Sequence, residues 1–294
     1  MDKQIFWVAS YPKSGNTLLR AIVSSLFFTK DGCFNFKLLK TIVLFEEMSR
    51  LSSCTKTSSN EMNIRNTASK LNLIYENLFE MQSKKNLGFK EDFAFFKTHF
   101  NANYNGKSFL IKEFIRGILY IYRDPRDICL SWARHANVSN RKSLNFLLDK
   151  NASINWTDIE NFRNYNENAP VYLSDWQNHF MSWTENDLDC PFFLISYENL
   201  VYDKKNTVLK LLDFFKHNYN IEFSNKDEKI NNIIATTDFE NLKKMEKDIG
   251  FKEATNKNFF AIGKKEQWRK DLTKEEIDMI ENKFSKCMIK LKYI

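Results

Sequence analysis

The chain has 294 residues, 43% hydrophobic and 28% charged, with a formal net charge of +7. That length and apolar content exclude a disordered chain and suit one large domain or two small ones with a core of useful size. No run approaches the roughly 18 apolar residues of a membrane span, and no dense basic stripe with interleaved aromatics points to nucleic acid.

Glycine (7) and proline (4) are few, while phenylalanine (27) is common beside abundant Lys, Asn and Ile. AT-rich coding explains that bias, and most of the rings belong to a core. Cys33, Cys54, Cys129, Cys190 and Cys287 are odd in number, far apart and form no C-x-x-C pair, so reduced thiols are expected. His99, His135, His179 and His217 lack metal-ligand spacing, and no metal is expected. Residues 1–4 lead straight into the first apolar run without a secretory leader, and a cytoplasmic protein is expected.

The first apolar run, IFWVA at residues 5–9, has the length of a buried parallel strand. The polar stretch SYPKSGNT follows at 10–17, and apolar residues then recur at helical spacing to Phe28. A loop between strand and helix offers backbone N–H groups and a helix dipole to an anion. Gly15 permits a tight turn, Lys13 adds a point charge, and Ser14 and Thr17 add hydroxyl donors. The nucleotide loop G-x-x-x-x-G-K-[ST] places its lysine after a second glycine; here one glycine follows the lysine. On this loop alone, a polar turn without a ligand stands equal to an anion site.

Residues 35–90 have mostly helical character, interrupted by SSCTKTSSN. Residues 92–100 (DFAFFKTHF) form a second strand that ends in Lys97-Thr98-His99. Two-residue spacing on an extended strand puts Lys97 and His99 on one side. A histidine there suits a general base, and a lysine suits a transferring anionic group; standing alone, the tripeptide reads first as a surface strand end with chance polarity. Residues 117–135 form a third strand and then a helix, with Asp124 as N-cap, Pro125 at the first helical position and Asp127 in the first turn. Arg123 can fork onto a phosphate, and Ser131, eight residues on, can add a hydroxyl; the alternative is Arg123 paired with Asp124 or Asp127. Residues 137–170 are polar and Asn-rich, an insertion or lid. Residues 191–200 form a fourth strand running into a loop, and the last stretch is an amphipathic helix opened by a Thr273–Glu276 capping box. Strands alternating with helices imply one α/β domain over 1–294 with a largely parallel sheet, whose ligands bind at the carboxyl ends of strands. Every polar cluster named above sits at such an end.

Six motifs in this order resemble the PAPS-dependent, cytosolic-type sulfotransferases, where PAPS is 3′-phosphoadenosine 5′-phosphosulfate. YPKSGNT is similar to their 5′-phosphosulfate loop, KTH to their catalytic lysine–histidine strand, and YRDPRDICLS to their 3′-phosphate motif. SYENL resembles the segment after their fourth strand, TTDFENLKK their T-S-F-x-x-M-K segment, and IGKKEQW their closing R-K-G-x-x-G-x-W stretch. The resemblance runs from about residue 5 to 270. It implies a P-loop-NTPase-like three-layer α/β/α fold with a central, mainly parallel sheet flanked by helices.

What the resemblance implies for the site is specific. Lys13 would contact the phosphosulfate and its bridging oxygen, and Ser14, Gly15, Asn16 and Thr17 would wrap the 5′-phosphate. Lys97 would assist the sulfuryl group and His99 would take the acceptor's proton. Arg123 and Ser131 would bind the 3′-phosphate. Tyr197 and Thr237 would contact the adenine, with Phe239 stacked near it, and Gly263 would belong to the closing part of the cofactor site. PAPS is then the co-substrate, adenosine 3′,5′-bisphosphate the product, and a hydroxyl or amine of a small molecule the acceptor, with no metal, nucleic acid or membrane involved. The acceptor pocket is expected from segments around 35–95 and 137–180, where Trp156, Tyr165, Tyr172 and Trp176 mix with Asp158, Glu160, Glu167 and Asp175 and suit either a polar or cationic molecule or, at least as well, a solvated lid over a core edge.

The chain also departs from the family's pattern. Leu18 stands where an adenine-packing tryptophan is common, and Asp238 replaces a common serine. Ala261-Ile262 replaces the arginine–lysine pair at the 3′-phosphate, leaving Lys264, Lys265 or Arg269 to reach it. The segment after Trp268 departs from the family's dimerisation motif, which leaves monomer and dimer both open. A P-loop small-molecule or nucleotide kinase is the rival enzyme, and the single-glycine loop stands against it. A non-catalytic nucleotide-binding relative is the third reading, and the presence of both Lys13 and His99 stands against that one.

Overall fold

A computed structural model describes residues 4–45, 67–83, 92–154, 171–251, 253 and 259–294. Strand β1 (Ile5–Ala9) is buried along its whole length. Its alternating side chains feed two cores, as a central strand's must when both faces are covered. Helix α1 (Asn16–Phe28) follows, then a 3₁₀ turn (Phe36–Thr41), β2 (Val43–Leu44) and α2 (Thr67–Ser83). Strand β3 (Ala94–Thr98), a small hairpin of β4 (Asn103–Tyr104) and β5 (Lys107–Ser108), and β6 (Ile115–Tyr122) come next. Helices α3 (Pro125–Ala136) and α4 (Asn140–Leu148), the short pair β7 (Ser153–Ile154) and β8 (Val171–Tyr172), α5 (Trp176–Thr184) and β9 (Phe192–Ser196) complete the sheet. The rest is helical: α6 (Tyr197–Tyr202), α7 (Lys204–Tyr219), α8 (Lys226–Thr236), α9 (Phe239–Ile249), α10 (Trp268–Asp271) and α11 (Lys274–Lys290).

The main sheet runs β2-β3-β1-β6-β9 with every pair parallel. Ile5, Trp7 and Ala9 join Phe96, Ile118 and Tyr120 in one core, against side chains of α2, α3, α4, α5 and α11. Phe6 and Val8 join Phe95, Leu119 and Ile121 in the other, against α1, α7 and α8. The three-layer α/β/α architecture with a central parallel sheet is therefore as expected, and β1, β3 and β6 bring their carboxyl ends to one rim.

Several local expectations change. SYENL is not a loop: Ser196 caps α6, its hydroxyl accepting from the Asn199 N–H at 3.3 Å. The stretch 137–170 is more than a polar insertion, because Ser139 caps α4 and Leu144 and Leu147 enter the core. Of the helical stretch at 35–90, only the 3₁₀ turn and α2 are helical among the described residues, and SSCTKTSSN lies outside them. The Thr273–Glu276 capping box forms in both directions, at 2.9 and 3.3 Å, and Asp124 caps α3 through the Arg126 N–H at 2.9 Å.

Candidate anion-binding and transfer site

The loop after β1 turns through two left-handed residues, Lys13 at φ +66° and Gly15 at φ +98°. Gly15 also precedes α1 without any side-chain cap, which leaves the first-turn amides directed at the rim. A Cβ at Gly15 would overlap the Tyr197 ring, so glycine is required both by the backbone and by this contact. Asn16 fastens the loop to β1, its Nδ2 donating to Val8 O at 3.1 Å and Ser10 Oγ at 3.2 Å. Ser14 Oγ, Asn16 Oδ1 and Arg123 Nε are buried with no hydrogen-bond partner. Of these, the Ser14 hydroxyl and the Arg123 Nε–H are donors, the kind of buried group an anionic ligand would satisfy.

At the end of β3, His99 Nδ1 lies 2.8 Å from Ser10 O and 3.2 Å from Ser10 Oγ. A carbonyl oxygen only accepts, so Nδ1 carries the hydrogen and Nε2 is the lone-pair nitrogen. Burial, then the Lys97 charge, hold the imidazole well below its usual pKa, so it is neutral and ready to accept a proton. Burial and the charges of Lys97, Arg123 and Arg134 bring Lys13 down to about 7, and its Nζ lies 4.4 Å from the Phe259 ring centre. Lys97 Nζ faces Glu253 Oε2 at 3.8 Å. Burial would raise the Glu253 carboxyl, but Lys97 and Arg20, with hydrogen bonds from Arg20 and Thr17, hold it at about 2.

Arg123 leaves β6 and lies 4.3 Å over the Tyr197 ring, stacking Arg123, Tyr197 and Gly15 in succession. Its Nη1 donates to Lys13 O at 3.3 Å and its Nη2 to Lys264 O at 3.4 Å. Neither expected carboxylate pairs with it. Asp124 is gripped by Arg126 through both oxygens, at 2.7 to 3.2 Å. Asp127 accepts the amides of Glu266, Gln267 and Trp268 at 2.7, 3.0 and 3.2 Å. Arg123 is thus a buried guanidinium aimed at the rim. Ser131 lies two turns into α3, half-buried.

On the opposite side, Thr237 is buried at the end of α8, with its hydroxyl donating to Ile233 O at 2.6 Å. Phe239 opens α9 and packs flat on Gly263, whose φ is +65° and whose Cβ would overlap that ring. Leu18 packs in the same apolar cluster as Phe239 and Phe260. Of the three candidate cations, Lys265 lies over Tyr202 and Arg269 over Trp268; Lys264 abuts Arg123 through its carbonyl.

The expected acceptor residues separate. Trp176 is a core residue and Asp175 is the buried cap of α5, so neither is a recognition group. Tyr172 donates to Lys150 O at 3.0 Å. Trp156, Tyr165, Asp158, Glu160 and Glu167 lie outside the described residues. Sequence reading missed Arg20, Glu253, Arg134 and His135. The last is brought down to about 4 by burial and by Lys13 and Lys97, so it shares their field. The Ser131–Arg134 spacing of one helical turn was the one signal available for Arg134. Among the described residues no group of three His, Cys, Asp or Glu could hold a metal, and no helix is long and apolar enough to cross a membrane.

Comparison with known proteins gives concordant findings. A family profile described as "Sulfotransferase domain" matches residues 3–292. A rabbit (Oryctolagus cuniculus) amine sulfotransferase is 26% identical over 126 residues, 43% of this chain and 36% of that protein. A luciferin sulfotransferase from Photinus pyralis is 23% identical over 246 residues, 80% of this chain and 56% of that protein. The chain thus spans about a third to just over half the length of these relatives. A crystal structure of retinol dehydratase, in complex with androsterone and the inactive cofactor PAP, superposes with a TM-score of 0.62 at 16% identity, over 98% of this chain and 81% of that one.

Proposed function

The chain belongs to the sulfotransferase domain family, and from that premise we propose that it moves a sulfuryl group from PAPS to a hydroxyl or amine of a small-molecule acceptor. The observation that carries this reading is convergence on one rim. Lys13, Lys97, His99 and Arg123 stand at the ends of three adjacent strands, around a loop with buried, unpartnered Ser14 Oγ, Asn16 Oδ1 and Arg123 Nε. The Ser14 hydroxyl and the Arg123 Nε–H are donors and fit an anionic nucleotide, and the PAP in the retinol dehydratase complex supports the same donor class. When bound, PAPS supplies an activated sulfuryl group and a bisphosphate leaving group.

The residues of the chain divide the remaining work. Lys13 and the amides of Ser14 to Thr17 would hold the phosphosulfate and stabilise the charge that builds on the leaving side. Lys97 would neutralise the sulfuryl oxygens. His99, kept neutral and oriented by Ser10, would accept the acceptor's proton at Nε2. Arg123, with Ser131 and Lys264, would take the 3′-phosphate. Tyr197, Thr237 and Phe239 would border the adenine, with Gly263 letting the Phe239 ring lie close. The unbridged Cys33, Cys129, Cys190 and Cys287 suit the reducing cytoplasm. Calorimetry of the full chain with adenosine 3′,5′-bisphosphate, against ATP with Mg²⁺, tests the reading. Binding of the bisphosphate and not of ATP is expected; the reverse preference would turn the assignment to a kinase.

A further inference from the structure

Arg20 lies one helical turn after Thr17 on α1 and is 4% exposed. Its Nε donates to Ile42 O at 3.1 Å and its Nη2 to Leu39 O at 2.9 Å. Those two bonds fix the guanidinium and leave Nη1 directed toward the loop. There it meets Glu253 Oε1 at 2.6 Å. The other oxygen of the same carboxylate accepts from Thr17 Oγ1 at 3.3 Å and faces Lys97 Nζ at 3.8 Å. One carboxylate therefore sits on three donors from α1 and β3, and two of them, Thr17 and Lys97, are the groups assigned above to the donor's phosphosulfate.

The two assignments conflict at Thr17. A hydroxyl has one hydrogen; Thr17 gives it to Glu253 and cannot also give it to a phosphate. A carboxylate and a phosphate beside the same cations also repel each other at close range. Glu253 is a third exposed in its side chain, so it has room to leave. Arg20 has none, being held by two backbone carbonyls. Removal of its carboxylate would strand a buried guanidinium, a strongly unfavourable state unless another anion replaces it.

We propose that Arg20 is a further donor-binding residue: with Thr17 and Lys97 it forms an anion subsite for the phosphosulfate end of PAPS, and Glu253 occupies that subsite until the donor displaces it. The inference rests on the sulfotransferase reading above. It differs from a plain structural ion pair in one respect. A displaceable stand-in makes the two partners act on donor affinity with opposite signs.

The test is calorimetric titration of the full chain and of Glu253→Gln, Arg20→Gln and Arg20→Lys with adenosine 3′,5′-bisphosphate, with thermal melting of each. Glutamine at 253 still accepts from Arg20 but carries no competing charge, so affinity is expected to rise about fivefold to tenfold. Arg20→Gln is expected to weaken binding about tenfold, and Arg20→Lys less. Should Arg20→Gln not fold, Arg20→Lys and Glu253→Gln decide the sign. Affinity that falls in both partners' variants, or stays unchanged in Glu253→Gln, overturns the proposal and leaves a structural pair. A wild-type chain that binds no bisphosphate overturns the functional reading itself, and this inference with it.

Discussion

Burial and three neighbouring cations hold Lys13 near pH 7, against 10.5 for an ordinary lysine. An anion in the loop favours the charged ammonium, so binding above pH 7 requires uptake of a proton. The sign follows from linkage: affinity for adenosine 3′,5′-bisphosphate is expected to decline as pH rises above about 7, by at most about tenfold per unit. Titrations between pH 7 and 9 check this, and a flat profile would mean that Lys13 stays charged throughout. His99 is neutral for the same physical reason, with burial first and Lys97 second. His99→Ala is expected to lower turnover by about 10²–10⁴-fold while bisphosphate affinity changes little, since the role proposed for His99 is on the acceptor's proton and not on the nucleotide. Both residues were legible in the sequence because each lies in a short motif next to a strand. The Arg20–Glu253 pair was not, because its partners lie 233 positions apart and Glu253 belongs to no patterned segment.

Among the elements, α10 is held by a side chain outside itself. A four-residue helix has little stability of its own, and Asp127 on α3 accepts the three amides at its start. Arg126, its neighbour, lies 3.7 Å over Trp268 and reaches Glu281 at 2.5 Å and Tyr293 O at 3.0 Å. The start of α3 thus fixes the strip from Gly263 to Trp268 that carries Lys264 against Arg123. Asp127→Ala should leave three amides without their acceptor, costing about 1–3 kcal/mol and lowering the melting temperature by several degrees. It should also weaken bisphosphate binding; unchanged affinity would mean that the strip does not serve the nucleotide. Helix α6 shows why part of the secondary structure escaped sequence reading. Its six residues carry no periodicity, and Glu198 within it is held by Ser196 and by two groups outside the helix, the Asp124 amide and Tyr293 Oη, at 2.8, 3.1 and 2.9 Å. By contrast α3 announced itself, because Asp124 and Pro125 are a local start signal that needs no tertiary partner.

Across the whole molecule, the layers were legible and the strand order was not. Alternating strands and helices imply a parallel sheet covered on both faces, and the two cores divide β1 side chains between them accordingly. Nothing in IFWVA says that β1 is the middle strand, because partner choice depends on crossovers that apolar runs do not encode. The site was legible in outline for a topological reason: a parallel sheet gathers the polar ends of its strands on one rim. The acceptor side was not, since Trp176 and Asp175 look like recognition groups in sequence and serve as core and cap.

The central place of β1 also sets the order of events during synthesis. Strand β1 lies between two strands that are made after it, residues 94–98 and 115–122. Until both have emerged, Ile5–Ala9 is an apolar segment whose backbone groups have no ladder to join, and it stays exposed to association with other chains. The loop over residues 10–17 waits longer still, because Gly15 acquires its ring contact only when Tyr197 arrives. Assembly of the site is therefore a late step among these elements, reached only after Tyr197 has emerged.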